Sequence, residues 1–245
     1  MKKLVFDYEM RLSFSAPVTD HRFQLRCIPS TGPRSFDSVV MTGFIPEPHD
    51  IFSYSVTGIA FVDNAHIHKE AYKPLYRFNS ALTIPGPNVE AMIAVCRERL
   101  AALPSDATPV QQAAEVMDEV YKAFVYTPGS TTIRTTAEQA LAQRKGVCQD
   151  YAHVMLSVCR HVGLTARYIA GLLGGEGATH AWVEVYQDGR WVGLDPTHNR
   201  LVDDSYITIA HGRDYRDCML DIGIFSGYNV QQSQWVNASV HEQVA

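Results

Sequence analysis

The chain has 245 residues, 46% of them hydrophobic and 19% charged, which is typical of a soluble globular protein long enough to bury a full core. Its formal net charge of −5 at pH 7 gives no general attraction to nucleic acid or to anionic membranes, so we expect neither as a partner. No apolar run approaches the length of a membrane span, and Asp7 and Glu9 interrupt any signal-peptide core. Five cysteines at wide, irregular spacing argue against a disulfide framework. Together these features predict a cytoplasmic location.

Residues 1–85 carry the pattern of a β-rich N-terminal domain. Short stretches rich in β-branched and aromatic residues alternate with Pro, Gly and Asp clusters, which favours a small, sandwich-like arrangement of strands. The Pro- and Gly-containing stretch 84–88 marks the end of this domain, because the pattern after it is helical. The predicted strands are 10–15, 23–28, 38–44, 52–62 and 77–82.

Residues 86–245 are predicted to form a second, catalytic domain that begins with helices. The first helix covers residues 89–103. A second follows Thr108, which is a suitable N-cap before a first-turn proline, and it carries apolar residues on one face. Thr136 and Gln139 fit a capping box that opens a short third helix.

The fourth predicted helix begins near Cys148 and ends at Gly163, a glycine in the usual position after a helix. Beyond it we expect a strand over 164–171, a hairpin, and further strands of the same sheet within 206–210 and 228–240. The predicted fold class is α+β, with the Cys148 helix packed on an antiparallel sheet.

The segment around Cys148, which reads GVCQDYAH over residues 146–153, is the most informative in the chain. Unpaired backbone N–H groups and the helix dipole at a helix N-terminus favour a thiolate over a thiol. A thiolate is the form of cysteine that attacks a carbonyl carbon. Downstream, His180 offers a base and Asp195 offers a carboxylate that could orient it. We interpret these three residues as a Cys–His–Asp acyl-transfer site.

A predicted hairpin brings His180 and Asp195 together. The β-forming stretches 180–186 and 191–195 flank an Asp-Gly pair, which is a strong signal for a two-residue turn. With that turn Trp182 faces Asp195, and His180 lies on the same face because side chains alternate with a period of two. His180 and Asp195 are then diagonal neighbours at about 7–8 Å, so their side chains can meet. A three-residue turn would place them on opposite faces.

With their flanking motifs, these residues resemble the transglutaminase-like superfamily of papain-type thiol enzymes, and specifically bacterial members with a β-rich N-terminal region. The resemblance implies Cys148 as nucleophile, His180 as general base and acid, and Asp195 as the orienting carboxylate. His198 stands where an asparagine is expected after Asp-Pro-Thr, a departure that lies outside the triad. The motifs that carry the resemblance are FVYTPG at 124–129, GVCQDYAH at 146–153, residues 163–168, HAWVEV at 180–185 and DPT at 195–197.

Three further residues are candidates for contact with the substrate. An oxyanion hole needs hydrogen-bond donors near the developing negative charge, and the backbone N–H of Cys148 is the natural first donor. Tyr126 or Gln143 could supply the second donor. Trp182, beside the histidine on the same strand, is expected to form a pocket wall or to pack in the sheet.

The remaining histidines and cysteines are expected to be structural. His66 and His68 alternate on one strand face, but no third ligand is evident, so we predict no metal site and no cofactor. His153 falls off the face of Cys148 and is expected to be packed or bonded to the backbone. Cys96 and Cys159 lie in helical apolar patterns and are expected to be buried.

The predicted reaction is attack of Cys148 on an amide or peptide carbonyl, followed by hydrolysis of the thioester, as in a cysteine protease or amidase. A protein-glutamine transglutaminase or an N-acyltransferase would use the same triad, and a non-catalytic peptide-binding module would keep the same fold. Hydrolysis is favoured because no amine site or calcium-binding loop pattern is present in the sequence. The expected partner is a peptide or small amide substrate, and the oligomeric state is left open.

Overall fold

The computed structural model describes residues 1–28, 39–63 and 70–243. The α-helices are α1 Pro87–Ala101, α2 Pro109–Ala123, α3 Ala137–Gln143 and α4 Cys148–His161. The strands are β1 Lys2–Ile28, β2 Val39–Ile45, β3 His49–Val62, β4 Val125–Tyr126, β5 Lys145–Gly146, β6 Ala166–Leu173, β7 Gly175–Gly177, β8 His180–Gln187, β9 Arg190–Asp195, β10 Arg200–Leu201, β11 Tyr206–Gly212, β12 Asp221–Ser226 and β13 Gln232–Glu242.

The first sheet is organised around the long strand β1. The first half of β1 pairs with β3 on one side and with β13 on the other, and its second half pairs with β2 and β12. Every second residue of the first half is buried, as expected for a strand with one face on a core. These buried residues are Leu4, Phe6, Tyr8, Met10, Leu12 and Phe14.

Two predictions about the N-terminal strands are wrong in detail. The segments 10–15 and 23–28 belong to one continuous strand, whose register shifts where it changes partners and where Asp20 has a positive φ of 52°. The segment 77–82 is not a strand. There Ser80 and Thr83 bond to each other through backbone and hydroxyl groups, and such local hydrogen bonds stabilise a turn in place of a sheet ladder.

The second sheet contains, among the residues described, five antiparallel strands in the order β10-β9-β8-β6-β11. Helix α4 packs against β8 and β6 and also contacts the other three helices. Residues 150–160 of α4 are all buried, so the helix lies at the centre of the core. The α+β class, with the Cys148 helix on an antiparallel sheet, is therefore confirmed.

The C-terminal strands divide between the two sheets. β11 joins the second sheet beside β6, as predicted. The predicted strand 228–240 corresponds to β13, but it does not lie in the second sheet as expected: it pairs with β1 over eleven residue pairs. Both ends of the chain thus build the first sheet, while the division into domains 1–85 and 86–245 stays a prediction. No helix in the described ranges combines the length and the apolar character needed to cross a membrane.

Candidate active site

Cys148 is the first residue of α4 and is half-buried. The preceding residue, Val147, donates its backbone N–H to the side chain of Asp150 at 2.8 Å. The same carboxylate oxygen accepts the Thr131 hydroxyl at 2.7 Å. A side chain at Gly146 would come within 2.7 Å of this carboxylate, so the glycine allows the chain to approach the helix closely. The N-terminus of α4, and Cys148 with it, is held in place by this cap.

The short parallel pair of β4 and β5 leads the chain into this helix. Tyr126 pairs with Gly146, and Thr127 donates its backbone N–H to the Gly146 carbonyl oxygen at 2.9 Å. Partial burial and the nearby charge of Cys148 raise the pKa of the Tyr126 phenol. Tyr126 therefore lies near the sulfur, and its role as an oxyanion donor stays a prediction.

The hairpin of β8 and β9 has the predicted geometry. Asp188 and Gly189 form a two-residue turn with positive φ angles of 51° and 81°, and Tyr186 pairs with Trp191. In this register His180 Nε2 donates a hydrogen bond to Asp195 Oδ2 at 2.7 Å. Both side chains are buried. The turn chemistry thus places the base beside its carboxylate.

Asp195 accepts more hydrogen bonds than the sequence predicted. Besides His180, the His198 ring and the Tyr206 hydroxyl each donate to Oδ2 at 2.7 Å. Oδ1 accepts the backbone N–H of Thr197 at 2.9 Å. Burial would raise the pKa of this carboxyl, but the hydrogen bonds from the three side chains outweigh it and lower the pKa well below its usual range. Asp195 is therefore a carboxylate at any pH near neutral.

His180 is bonded to Asp195 through Nε2 and lies close enough to Cys148 to interact with it electrostatically. Burial opposes a charge on the imidazole, but the hydrogen bond to Asp195 and the interaction with Cys148 raise its pKa to about 9. The three residues predicted to form the triad therefore lie near one another, and their catalytic assignment stays a prediction.

The other candidate contacts fit less well. Trp182 is fully buried and packs against the rings of His180 and Tyr206, with centroids 6.2 and 5.3 Å apart. A side chain without exposed surface supports its neighbours and cannot line an open pocket, so a direct substrate contact by Trp182 does not fit the structure. The Gln143 amide donates to the carbonyl oxygens of Lys145 and Ser130. Its role as the second oxyanion donor stays a prediction.

A polar surface depression of about 380 Å³ lies beside the segment that leads into the N-terminus of α4. It borders the active-site loop because Gln143, on its wall, bonds to the carbonyl oxygen three residues before Cys148. The lining residues are Ser130, Thr132, Arg134, Thr135, Gln139 and Gln143.

The structural roles expected for other residues are also visible. His153 is buried and accepts the backbone N–H of Tyr215 at 3.2 Å. Burial raises the pKa of the Cys96 thiol to about 11, and Cys159 is likewise buried with a raised pKa. His66 and His68 lie outside the described residues.

Sequence reasoning missed the contributions of His198 and Tyr206. Both residues reach Asp195, and Arg200 in turn donates to the Tyr206 hydroxyl at 2.9 Å. The contact of His198 with Asp195 could have been predicted, because His198 follows Asp195 closely in sequence. Tyr206 lies on β11 at the other edge of the sheet, so its contact could not. The ligand atoms of His180, Asp195 and His198 lie within 4.8 Å of one another, a grouping that could hold a metal ion. The expectation of no metal site stays a prediction.

Comparison with known proteins identifies a related family over part of the chain. Residues 96–196 match the profile of the transglutaminase-like superfamily. An uncharacterised protein of Mycobacterium tuberculosis is 42% identical over 119 residues, which cover 42% of this chain and 38% of that protein. The resemblance recognised in the sequence is therefore confirmed for this segment. The chain spans about two fifths of the length of the mycobacterial relatives it matches.

Two more distant relatives are named for an enzymatic activity. A peptide-N(4)-(N-acetyl-beta-glucosaminyl)asparagine amidase of Drosophila melanogaster is 30% identical over 109 residues, covering 43% of this chain and 16% of the enzyme. A protein-glutamine gamma-glutamyltransferase of Pseudomonas aeruginosa is 33% identical over 93 residues, covering 32% of this chain and 14% of the enzyme.

The whole fold has a counterpart among solved structures. A candidate cysteine protease from Cytophaga hutchinsonii superposes with a TM-score of 0.74 at 17% identity, and the match covers 100% of this chain and 92% of the other. At this level of identity the likeness shows the fold alone.

Proposed function

We propose that this chain, which carries a transglutaminase-like domain over residues 96–196, is a thiol-dependent amide hydrolase that acts through Cys148. The observation that carries the proposal is the buried hydrogen bond of 2.7 Å between His180 and Asp195, close to Cys148 at the N-terminus of α4. A buried structural cysteine would need no such partners. Cys96, Cys159 and Cys218 are all buried.

A positive charge on His180 favours the nucleophilic form of Cys148. With a pKa of about 9, the imidazole is protonated at neutral pH. An imidazolium beside a sulfur at a helix N-terminus favours the thiolate, because both the cation and the helix dipole stabilise negative charge. Asp195 fixes the ring orientation and stabilises its charge, as the carboxylate does in other triads. In the proposed mechanism the reactive form of the site is a thiolate–imidazolium pair.

Acylation follows from this arrangement. The Cys148 thiolate attacks the carbonyl carbon of an amide, and the oxygen gains negative charge next to the backbone N–H at the start of α4. The C–N bond then breaks, and the amine leaves with the proton that His180 supplies. The products of this half-reaction are a thioester on Cys148, a free amine and a neutral imidazole.

Deacylation restores the enzyme. Neutral His180 accepts a proton from water, whose oxygen attacks the thioester carbonyl, and the acid product leaves as the thiolate–imidazolium pair forms again. The amidase relative supports hydrolysis, whereas the glutamyltransferase relative supports transfer to an amine. We favour hydrolysis because water needs no acceptor site, and we propose a peptide or small amide as substrate. A cytoplasmic location, proposed from the cysteine pattern, would keep the thiol reduced.

The proposal is tested by alkylation and by product analysis. Iodoacetamide at neutral pH should label Cys148 selectively, and Cys148→Ala should abolish both labelling and release of amine from a peptide and amide library. Cys96→Ala, which removes a buried sulfur from α1, is the matched control and should keep both. Equal labelling of all cysteines, or amine release by Cys148→Ala, would contradict the thiol mechanism.

A second measurement separates the alternatives. A competing primary amine added to the assay should leave free acid as the main product if the protein is a hydrolase. Predominant formation of the amide of that amine would identify a transferase. Binding of peptides without any turnover, together with unselective labelling, would identify a non-catalytic binding module.

A further inference from the structure

The polar surface depression beside the N-terminus of α4 contains a single charged side chain. It is lined by Arg134 together with serine, threonine and glutamine residues, and none of its lining residues is acidic. Arg134 is exposed and forms no ion pair with any residue that the structure describes. A guanidinium carries several N–H donors in a planar fork and keeps its positive charge at physiological pH. The depression therefore presents an uncompensated cation among neutral hydrogen-bonding groups.

The acidic residues of this part of the chain are engaged elsewhere. Residues 124–150 contain two of them, Glu138 and Asp150. Glu138 accepts the backbone N–H of Val89 at the start of α1, at 3.0 Å. Asp150 is buried and caps the N-terminus of α4. Neither carboxylate pairs with Arg134, so a ligand can supply the negative charge that complements this arginine.

The segment that borders the depression is basic, although the chain as a whole is acidic. Residues 124–149 contain Arg134, Arg144 and Lys145 but only one acidic residue, Glu138, whereas the whole chain has a formal net charge of −5. All three basic residues are exposed. Charges of one sign that are grouped beside a site attract ligands of the opposite sign. The local charge thus favours the same kind of ligand as the lining of the depression, namely one with an anionic group.

Two contacts fix the depression at a short distance from Cys148. Gln143, on its wall, donates to the carbonyl oxygen three residues before Cys148, and three residues of chain span at most about 10 Å. On the other side, Ser130 precedes Thr131, whose hydroxyl donates to Asp150 in the first turn of α4 at 2.7 Å. Since an extended peptide advances about 3.3 Å per residue, a group in the depression lies within about three residues of the bond that Cys148 attacks.

We propose that Arg134 is a specificity-determining residue that binds a carboxylate of the substrate close to the scissile amide. The preferred substrate is then an acidic peptide, and this statement rests on the amide hydrolase function proposed above. A carboxylate suits the site because its two oxygens accept two N–H groups of one guanidinium. Gln139 carries further amide N–H donors on the same wall. The carboxylate belongs either to an aspartate or glutamate side chain or to the C-terminus of a short peptide.

Direct binding tests this recognition without turnover. The full chain with Cys148→Ala is titrated with fluorescently labelled hexapeptides of alanine and glycine that carry one glutamate at a varied position, and with their glutamine counterparts. At low ionic strength at least one glutamate peptide should bind about tenfold more tightly than its counterpart, because a hydrogen bond to a charged group is added. Adding Arg134→Gln should remove this preference. Arg97→Gln, at an exposed arginine of α1, is the matched control and should retain it.

The two sources of the carboxylate are separated by the peptide ends. Each peptide is compared with a free and with an amidated C-terminus. A preference for glutamate that persists in the amidated peptides identifies side-chain recognition. A preference for the free C-terminus, lost in Arg134→Gln, identifies recognition of the terminal carboxylate. Equal affinity for all matched pairs, or a preference that persists in Arg134→Gln, would overturn the proposal for Arg134.

Turnover gives a second readout that a merely structural role would not produce. With Cys148 present, Arg134→Gln should raise KM for the preferred acidic peptide about tenfold and leave kcat within about twofold, because the contact is made equally in the ground state and the transition state. A fall of kcat for acidic and neutral peptides alike would contradict a role in specificity. Binding that depends on Arg134, without any turnover, would overturn the hydrolase function and leave the recognition of acidic peptides standing.

Discussion

The two sheets each bury a histidine, and the two histidines behave in opposite ways. In the first sheet, His21 is 1% exposed, and its Nδ1 lies 3.1 Å from Nε2 of His49. Burial and the neighbouring imidazole lower the pKa of His21. In the second sheet, His180 is similarly buried, but its partner is a carboxylate and its pKa is raised to about 9.

The difference shows that burial alone does not prepare a histidine for catalysis. His153, on the same helix as Cys148, is also completely buried, and burial lowers its pKa to about 4. Its Nε2 accepts a backbone N–H, and its Nδ1 has no hydrogen-bond partner among the residues that the structure describes. His180 differs because Asp195 compensates the cost of burying its charge. The carboxylate, and not the solvent exclusion, makes His180 a cation at neutral pH.

The largest expected effect comes from removing that carboxylate charge. Asp195→Asn should convert His180 into a buried neutral histidine of the kind seen at positions 21 and 153, and kcat/KM should fall by about 10³-fold or more. Tyr206→Phe is the matched change in the same network, because it removes one hydrogen bond to Asp195 and keeps the charge. That variant should lose about tenfold or less.

The measurement for both variants is the rate of Cys148 alkylation at pH 7 together with amide turnover. A kcat/KM within about tenfold of the wild type in Asp195→Asn would contradict the role given to the carboxylate. Equal losses in the two variants would mean that the hydrogen-bond network, and not the charge, controls His180.

The β8–β9 hairpin shows which part of this site could be predicted from sequence. Asp188 and Gly189 fix the turn type, the turn fixes the register, and the register places His180 beside Asp195. Each step is local in sequence. The capping boxes at Thr108 and Thr136 are local too, and both are present in the structure.

The pairing of strands that are distant in sequence was harder to predict. The alternation of β13 identifies a strand, but nothing in its sequence specifies that the partner is β1 at the other end of the chain. For the same reason Tyr206 could be placed in a strand of the catalytic sheet, yet its hydroxyl could not be connected to Asp195. Such contacts depend on how separate strands are ordered in space, which their local patterns do not encode.

The second prediction concerns the pH dependence of the free energy of unfolding, to which the buried neutral histidine His153 contributes. Its pKa is about 4 in the folded protein and about 6.5 in an unfolded chain, so the unfolded chain binds a proton that the folded protein refuses. The free energy of unfolding should therefore fall as the pH decreases from 6.5 toward 4, by about 3 kcal/mol from this residue. His180 does not contribute in this window, because its stabilisation is fully present below pH 6.5 and is lost only as the pH rises through 9.

His153→Gln tests this assignment, since the glutamine oxygen can still accept the backbone N–H of Tyr215. Urea unfolding at pH 7 and pH 4.5 should show a smaller pH dependence in the variant by about 3 kcal/mol. His241→Gln, at an exposed position, should retain the wild-type dependence. An unchanged dependence in His153→Gln would place the acid-sensitive group elsewhere.

The smallest effect is expected for a substitution of His21, which contacts His49 in the first sheet. His21 contacts the rings of Phe14 and Phe52 edge-on, at centroid distances of 5.8 and 4.9 Å, so a phenylalanine at this position would join an existing aromatic cluster. His21→Phe removes the contact with His49, whose side chain still reaches solvent. The free energy of unfolding at pH 7 should change by less than about 1.5 kcal/mol, and part of the acid sensitivity should disappear.

The alkylation rate of Cys148 in His21→Phe should stay within about twofold of the wild type, because His21 belongs to the first sheet, whereas His180 and Asp195 belong to the second and Cys148 to helix α4. The two histidines would then differ as expected. His21 can be replaced by a hydrocarbon side chain without loss of reactivity, whereas His180 cannot lose the charge of the carboxylate beside it. A marked fall in alkylation would instead reveal energetic coupling between the sheets, since no change at His21 alters the groups that touch Cys148.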